Sequence, residues 1–280
     1  MGRQNYYFLV AGLPDITIEQ GKLQTGVADF IEQLRQGLSK NDAALLEPFL
    51  LPVDNLNLLA LLQKQEAELL NQGLYPPAFL TEEVKEPLNL KPYMLRFIES
   101  FRAETRLYPQ LSPENELATL FYAEMLESKA EFIRHWFEFE LNLKNVLLVL
   151  AARKNNIPYE NQVIGSHPVA EIIRKSNARD LGISAEWPWI EKVLQIADTE
   201  NILAREKAID QLRWTYLDEL NTFNYFSVEV LIAYLIKLGI IERWLKLDQP
   251  TGEEMFKRLL GDLLNSYEFP NEFSVKDGKK

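Results

Sequence analysis

Residues 113–155 read PENELATLFYAEMLESKAEFIRHWFEFELNLKNVLLVLAARKN, and this stretch decides the fold. It contains no Gly and no Pro after its first residue, and its apolar side chains recur at three- and four-residue intervals. That apolar face consists of Leu117, Leu120, Phe121, Met125, Phe132, Trp136, Phe139, Leu143, Leu147 and Leu150. Ser112 followed by Pro113 is a strong helix start. The pattern predicts one long helix from 113 to 155, which would span roughly 60 Å if straight, at about 1.5 Å per residue. A kink inside this helix stays open.

The same helical period precedes this stretch. Ser39 and Asp42 resemble a capping box at the start of a short helix. We expect Pro48 and Pro52 to interrupt that helix, because an internal proline lacks the N–H that the helix needs. Asp54 would then cap the next helix.

Toward the C-terminus the pattern predicts about five more helices. They start near Pro168, Ala185, Glu200, Val228 and Gly252, with capping candidates His167, Ser184, Thr199, Ser227 and Thr251. The box of Thr251 with Glu254 is the best of these caps. The segment from Val228 to Leu247 is the most apolar, but charged side chains interrupt it before the ~20 residues that a membrane span needs. We therefore predict a buried core helix there.

One short segment departs from the helical period. Residues 6–11, Tyr-Tyr-Phe-Leu-Val-Ala, are aromatic and β-branched, and predict a single strand or a buried extended arm. The predicted fold class is therefore all-α, a bundle of long helices with at most this one short strand. Residues 1–280 form either one helical unit or two lobes, at about 1–157 and 158–267, followed by a frayed tail at 268–280.

The net charge of the chain limits the classes of molecule that we expect it to bind. Lys and Arg number 30 against 41 Asp and Glu, which gives a net charge of −11. This field repels nucleic-acid phosphates and anionic lipid headgroups, so we expect no nucleic-acid partner and no direct membrane insertion. The chain has no Cys, which fits a reducing compartment. The apolar run at 6–11 is shorter than the apolar core of a signal peptide, so we expect a cytoplasmic protein.

Few residue types suited to catalysis or metal binding are present. His135 and His167 are the two histidines, and no thiol is available. A di-iron bundle needs Glu-x-x-His on two helices, whereas Glu131 and His135 stand four residues apart and only once. No strand leads into a Gly-rich phosphate loop. We predict no catalytic residue, no metal site and no cofactor, and we interpret the glutamates between 124 and 140 as a solvated helix face.

A charged stripe follows on one predicted helix. Its members, at helical spacing, are Arg205, Glu206, Asp210, Arg213 and Trp214. This pattern is typical of an internal ladder of ion pairs, and it also allows a charged face toward a partner. Arg243 and Trp244, further along the chain, allow the same two interpretations, a polar network inside the protein or an interface with a partner. We favour the ladder.

Two segments resemble a known protein family. Residues 137–153, FEFELNLKNVLLVLAAR, place an acid, an Asn, an apolar run and an Arg in an order that resembles the C subunit of V/A-type ATPases, called subunit d in eukaryotes. The spacing agrees at Glu140, Asn145 and Arg153. Residues 205–243 combine an acidic helix with an apolar one, and resemble a repeat of the same family at Tyr234 and Arg243.

Shorter motifs extend this resemblance over most of the chain. Residues 5–15, NYYFLVAGLPD, residues 176–182, SNARDLG, and residues 241–244, IERW, resemble a bacterial C-subunit-like family that accompanies such ATPases. The resemblance implies a non-catalytic coupling piece in the cytoplasm, peripheral to the inner membrane, which links the membrane rotor ring to the central stalk. The framework or interface candidates are Glu140, Asn145, Arg153, Glu206, Asp210, Arg213, Trp214, Tyr234, Arg243 and Trp244.

Two alternative functions stay open at this point. One is a soluble helical scaffold or regulatory protein with a groove for a partner or ligand. The other is a divergent enzyme. Adjacent genes for rotary ATPase subunits would favour the coupling role, whereas an isolated gene beside metabolic enzymes would favour the alternatives.

Overall fold

The computed structural model describes residues 4–103 and 105–247. Within these ranges the chain forms eleven α-helices and no strand, so the predicted all-α class is confirmed. In chain order the helices are α1 (Tyr7–Ala11), α2 (Val27–Gly37), α3 (Lys40–Leu62), α4 (Pro77–Glu83), α5 (Pro92–Arg102), α6 (Pro113–Leu126), α7 (Glu131–Lys154), α8 (Pro168–Lys175), α9 (Ile190–Ala197), α10 (Ile202–Leu220) and α11 (Val228–Leu247).

Most of the buried apolar side chains form one cluster that extends along the chain from Tyr6 to Leu238. Helix α7 packs against α6, α8 and α9. Helix α11 packs against α1, α2, α3 and α10, so it connects the first helices of the chain with the later ones. Leu231 and Ile241 on α11 are fully buried, which confirms the predicted core position of that helix.

Helix α3 is, among the helices of the described ranges, the one long and apolar enough to cross a membrane by length and composition. Core helices of soluble proteins share this property. In this fold α3 buries Leu46, Leu50 and Leu58, together with the polar Asp54 and Asn57.

The strand predicted at residues 6–11 is wrong. Residues 7–11 form α1, and Val10 N–H donates to the Tyr6 carbonyl at 2.9 Å. A strand needs a neighbouring strand to pair its backbone, and the described residues supply none. The local helical hydrogen bonds take its place. Tyr6 itself is buried, and its hydroxyl donates to Asp42.

The single helix predicted from 113 to 155 is also wrong, because the chain turns back at residues 127–130. In a straight helix the Cα atoms of Phe121 and Phe137 would stand roughly 24 Å apart. Their ring centroids lie 5.2 Å apart, so α6 and α7 fold against one another. If the helix continued, the apolar face of α6 would not pack against α7. The free energy gained by burying the two apolar faces exceeds the free energy lost by interrupting the helix.

The prolines of α3 do not interrupt it. Pro48 and Pro52 lie inside a continuous helix and are spaced one turn apart, with Pro52 exposed. Each internal proline costs a helix about 3 kcal/mol. Burial of the leucines on the opposite side of α3 offsets that cost, a case of packing overriding propensity. Asp54 is therefore an internal residue of α3, and the predicted cap at this position is wrong.

Several helix boundaries are confirmed. Ser39 and Ser112 accept the capping hydrogen bonds of α3 and α6, from the backbone N–H groups of residues 42 and 115. Helices start at Pro168 and Val228 as expected. Helices α9 and α10 start later than predicted, and Asn201, instead of Thr199, caps α10. The helix predicted at Gly252, its capping box of Thr251 with Glu254, and the tail at 268–280 lie outside the described residues.

Helices α3 and α7 each hold the loop that follows them by hydrogen bonds from a buried Asn side chain. Asn57, buried on α3, donates to the Leu70 carbonyl and accepts from the Leu70 N–H, both at 2.8 Å. Asn145, buried on α7, makes the same pair of bonds with Ile164 at 2.9 Å. Each amide supplies one donor and one acceptor, which satisfy the backbone N–H and carbonyl of one loop residue.

The residue three positions earlier makes a second tether in both helices. Asp54, which is fully buried, accepts from the backbone N–H groups of Leu74 at 2.7 Å and Tyr75 at 3.2 Å. Asn142 of α7 hydrogen-bonds His167 Nε2 at 2.7 Å. The two helices are therefore alike in hydrogen bonding as well as in length, an internal similarity that the sequence pattern did not predict.

The loop held by Asp54 has no room for a side chain at Gly73. A Cβ atom there would lie 2.2 Å from Asp54 Oδ1. We expect Gly73→Ala to lower the free energy of unfolding by about 2 kcal/mol, because the carboxylate is fixed by its two backbone donors and cannot move aside. Urea denaturation measures this value.

Gly239→Ala is the matched control. A Cβ at Gly239 meets nothing within 4 Å, and the residue lies inside α11. This substitution should raise the free energy of unfolding by up to about 1 kcal/mol, since Gly weakens a helix interior. A Gly73→Ala protein as stable as the wild type would contradict the assigned tether.

Burial raises the pKa of Asp54 to about 6, against the opposite effect of the two backbone donors. An acid whose pKa rises on folding binds its proton more tightly in the folded state, so its contribution to stability falls as pH rises through 6. We expect Asp54→Asn, which cannot ionise, to gain about 1 kcal/mol relative to the wild type between about pH 5.5 and about pH 7.5. Urea midpoints at the two pH values test this, and an unchanged difference would contradict it.

Candidate functional site in a charge network across three helices

Asp210 lies on α10 at the centre of a charge network. Its carboxylate is 1% exposed. It accepts a hydrogen bond from Arg213 Nη1 at 3.0 Å, one from Trp244 Nε1 at 2.8 Å, and one from Arg243 Nη2. Arg243 and Trp244 belong to α11, so this single carboxylate joins the two helices. Its ion pairs satisfy the requirement that a buried charge be neutralised.

Arg213 extends the network from α10 to α7. Its guanidinium donates two hydrogen bonds to the Glu140 carboxylate, from Nε to Oε1 at 2.8 Å and from Nη2 to Oε2 at 3.3 Å. Burial alone lowers the pKa of Arg213, but the carboxylates of Glu140 and Asp210 raise it by more, and the net shift is upward. The cation is therefore permanent, and the bidentate geometry fixes the distance and angle between the helices.

Stacked aromatic rings lie along the same helices. The rings of Phe139 on α7 and Tyr216 on α10 stack with centroids 4.0 Å apart. Trp189, just before α9, meets both rings edge-on at 5.6–5.7 Å. Trp187 is buried, and its ring centroid lies 5.9 Å from that of Phe139. Polar and aromatic contacts together hold α7, α9 and α10 side by side.

The structure thus brings five of the ten candidates into one network: Glu140, Asp210, Arg213, Arg243 and Trp244. The other five lie elsewhere. Glu206 is half-buried one turn earlier on α10 and takes no part in the network. Trp214 packs beneath the Lys237 ammonium, 4.7 Å from the ring centroid. Tyr234 meets Phe30 of α2 edge-on at 5.1 Å.

Asn145 and Arg153 hold loops rather than helices. Asn145 binds the loop at Ile164, as described above. Arg153, near the end of α7, donates to the backbone carbonyls of Ser176 and Ala178, each at 2.6 Å. It also donates to the Tyr159 hydroxyl at 3.0 Å. The SNARDLG motif therefore begins at a loop that this arginine holds in place.

His167 occupies the N-cap position of α8, but its side chain makes no cap hydrogen bond. Burial, with a smaller effect from Arg174, lowers the pKa of His167 to about 4, so its imidazole is neutral at neutral pH. Its Nδ1 is buried without a hydrogen-bond partner. Among the residues that the structure describes, no three His, Cys, Asp or Glu side chains are grouped as metal ligands.

An apolar cleft that the sequence did not predict lies between α2, α3, α7 and α11. Its volume is about 330 Å³. Its walls include Ile31, Phe49, Trp136, Phe137, Leu235 and Ile236. Glu242 and Lys246, which pair at 3.5 Å, lie among its few polar lining residues. The lining residues come from four distant segments, so no local pattern could have identified the cleft.

The role that the network can play follows from the way its carboxylates and arginines are paired. Each of its two carboxylates accepts from an Arg that cannot release its proton, and Asp210 accepts from three donors. Groups paired in this way fix the relative positions of the helices that carry them. The network is therefore suited to a mechanical role, holding α7, α10 and α11 in one register.

The comparisons with known proteins give one family. The family described as "Protein of unknown function (DUF2764)" matches residues 3–266, and the chain belongs to it. Neither the search of curated proteins nor that of solved structures finds a match.

Loss of the central carboxylate should destabilise the fold. We expect Asp210→Ala to lower the free energy of unfolding by about 3 kcal/mol, because it leaves two arginines and an indole N–H without their shared acceptor. Glu206→Ala, one turn away on the same helix, is the matched control and should change it by less than about 0.5 kcal/mol. Chemical denaturation of both variants measures the difference, and equal effects would contradict a central role for Asp210.

Proposed function

We propose that this chain is a non-catalytic subunit of a bacterial V/A-type rotary ATPase that links the membrane ring to the central stalk. The observation that carries the proposal is the network itself. Glu140 and Arg243 come from the two separate segments that resemble the C subunit, and Arg213 and Asp210 connect them. Residues that carry the resemblance therefore belong to one charge network in the folded structure.

The mechanical properties of the fold support the same role. A part that transmits torque must resist bending, and α3, α7, α10 and α11 are long helices of 23, 24, 19 and 20 residues. The network ties three of them together, and the Asn and Asp tethers fix the loops between helices. Such cross-links between helices and loops oppose bending, as the proposed coupling role requires.

The proposed setting is the cytoplasmic side of the inner membrane. The chain would be held there through the ring and stalk subunits rather than by insertion of its own. The net charge of −11 supports docking on protein over docking on anionic lipid.

The apolar cleft favours a second candidate function. A concave site of about 330 Å³ falls within the usual size range of small-molecule sites, and few polar groups line it. A helical scaffold or regulatory protein that binds an apolar ligand would use such a cleft. Native mass spectrometry of the protein purified from its own cells distinguishes this alternative, because a ligand bound at full occupancy would favour it.

Affinity purification tests the proposed function directly. We expect the tagged chain, isolated from gently solubilised membranes of its own cells, to recover ring and stalk subunits in roughly stoichiometric amounts. A matched purification through an unrelated tagged cytoplasmic protein is the control. Absence of both subunits, with the chain entirely in the soluble fraction, would contradict the proposal.

A further inference from the structure

The apolar cleft follows α11 as far as the last turn that the structure describes. The residues of α11 that line it are spaced by one to four positions and form one stripe of the helix: Leu235, Ile236, Gly239, Glu242 and Lys246. This stripe is roughly 16 Å long, at about 1.5 Å per residue. The structure describes α11 as far as Leu247, the residue after the end of the stripe. The next residues of the chain therefore start beside the cleft.

The cleft leaves apolar side chains partly uncovered. Phe49, Val53 and Ile236 line it and are only half-buried. A Cβ atom added at Gly239 would meet none of the described residues within 4 Å. The cleft volume of about 330 Å³ is roughly ten times the ~30 Å³ that one water molecule occupies in the liquid. Protein interiors are close-packed, and filling such a space with apolar groups removes apolar area from water. An apolar occupant is therefore favoured.

The sequence supplies an apolar segment shortly after α11. Residues 251–266 read TGEEMFKRLLGDLLNS and lie outside the described residues. Their apolar side chains recur in pairs four positions apart, which predicts an amphipathic helix after the cap at Thr251. The predicted apolar face consists of Met255, Phe256, Leu259, Leu260, Leu263 and Leu264. The family match includes this segment, since it extends to residue 266.

The connection between α11 and this segment is short. Residues 248–250 read Asp-Gln-Pro, and Pro250 opposes continuation of α11 through the connection. Two helices joined by about two to five residues form an antiparallel hairpin. A helix that returns along α11 from residue 252 to residue 264 would cover roughly 18 Å. Its length therefore matches that of the stripe.

The antiparallel arrangement brings apolar side chains to the apolar part of the stripe. With residues 248–250 as the turn, residue 263 lies opposite residue 235, and residue 259 lies opposite residue 239. Leu263 then meets the apolar end of the stripe. Leu259 meets the open space beside Gly239. The segment therefore places its leucines where the cleft lacks apolar contacts.

The charges at the other end of the stripe also match. Glu242 and Lys246 pair with one another at 3.5 Å, and their side chains remain 27% and 59% exposed. In the same arrangement Glu253 comes near Lys246, and Lys257 comes near Glu242. Each charge at this edge of the cleft meets an opposite charge, which favours the segment over an uncharged apolar ligand.

We propose that the cleft binds residues 251–266 of the same chain, as a helix antiparallel to α11 with its leucine face toward α2, α3 and α7. The bound helix covers the cleft and completes the apolar core at this edge. This assignment does not rest on the proposed function. An apolar small molecule, the ligand of the second candidate function, would compete with the segment for the same space.

Disulfide trapping in the full chain tests the occupant, because the chain contains no native Cys. Ile236→Cys on the cleft wall is combined with Leu263→Cys, or with Leu259→Cys one turn earlier. The matched control is Ile236→Cys with Asn265→Cys, two positions from residue 263 but on the opposite face of the predicted helix. We expect a mild oxidant to close at least one test pair about tenfold faster than the control pair, because disulfides need Cβ atoms about 4 Å apart. Peptide mass spectrometry measures the rates.

Binding of the apolar dye Nile red measures the opening of the cleft independently. Leu259→Asp with Leu263→Asp puts two charges on the apolar face and should release the segment, so that dye fluorescence rises about tenfold. Gly261→Asp with Asn265→Asp adds the same charge to the polar face and should leave the fluorescence within about twofold. Addition of Ile236→Asp to the released variant should abolish the gain, which would place the dye in the cleft. Circular dichroism checks that every variant keeps its helical fold.

Fast intramolecular oxidation on the leucine face, with dye binding that follows release, would support the assignment. Equal oxidation rates on the two faces would overturn it, as would disulfides that form only between two copies of the chain. A wild-type chain that binds the dye as well as the released variant, or that holds a small molecule in the cleft at full occupancy, would overturn it too. Recovery of ring and stalk subunits is a separate measurement, so the assignment and the proposed function can fail independently.

Discussion

A buried carboxylate on α10 imposes the constraint on which the framework depends. Asp210 must be neutralised where water cannot reach it, and its partners come from its own helix and from α11. Arg213 must in turn be held at the correct angle, which Glu140 on α7 provides. Together these ion pairs join α7, α10 and α11 to one another. A network of this kind specifies geometry more than it adds stability, because desolvation opposes the gain from each ion pair.

The sequence predicted the class of the fold because helical periodicity is a local property. It also predicted the caps at Ser39 and Ser112, which depend on the following turn alone. It failed where distant contacts decide the outcome. The fold-back after α6 rests on the contact of Phe121 with Phe137, and the continuity of α3 through Pro48 and Pro52 rests on the core beneath it. No window of local sequence contains that information.

The candidate site was predictable in part for the same reason. Helical spacing placed Asp210 and Arg213 on one face, and the family resemblance added Glu140 and Arg243. The expected ladder included Glu206, but the structure continues the network across helices to Glu140 instead of along α10. The tethers at Asn57 and Asp54 and the apolar cleft were not predicted, since each joins residues far apart in the chain.

The proposed coupling role rests on the charge network that joins α7, α10 and α11 and on the resemblance to rotor subunits. The most direct measurement of that claim is ATP-driven ion uptake by inverted membrane vesicles from cells that lack this chain, compared with cells in which it is restored. The account predicts that vesicles without the chain hydrolyse ATP but accumulate no ions, and that restoration recovers uptake. Equal uptake with and without the chain would contradict it.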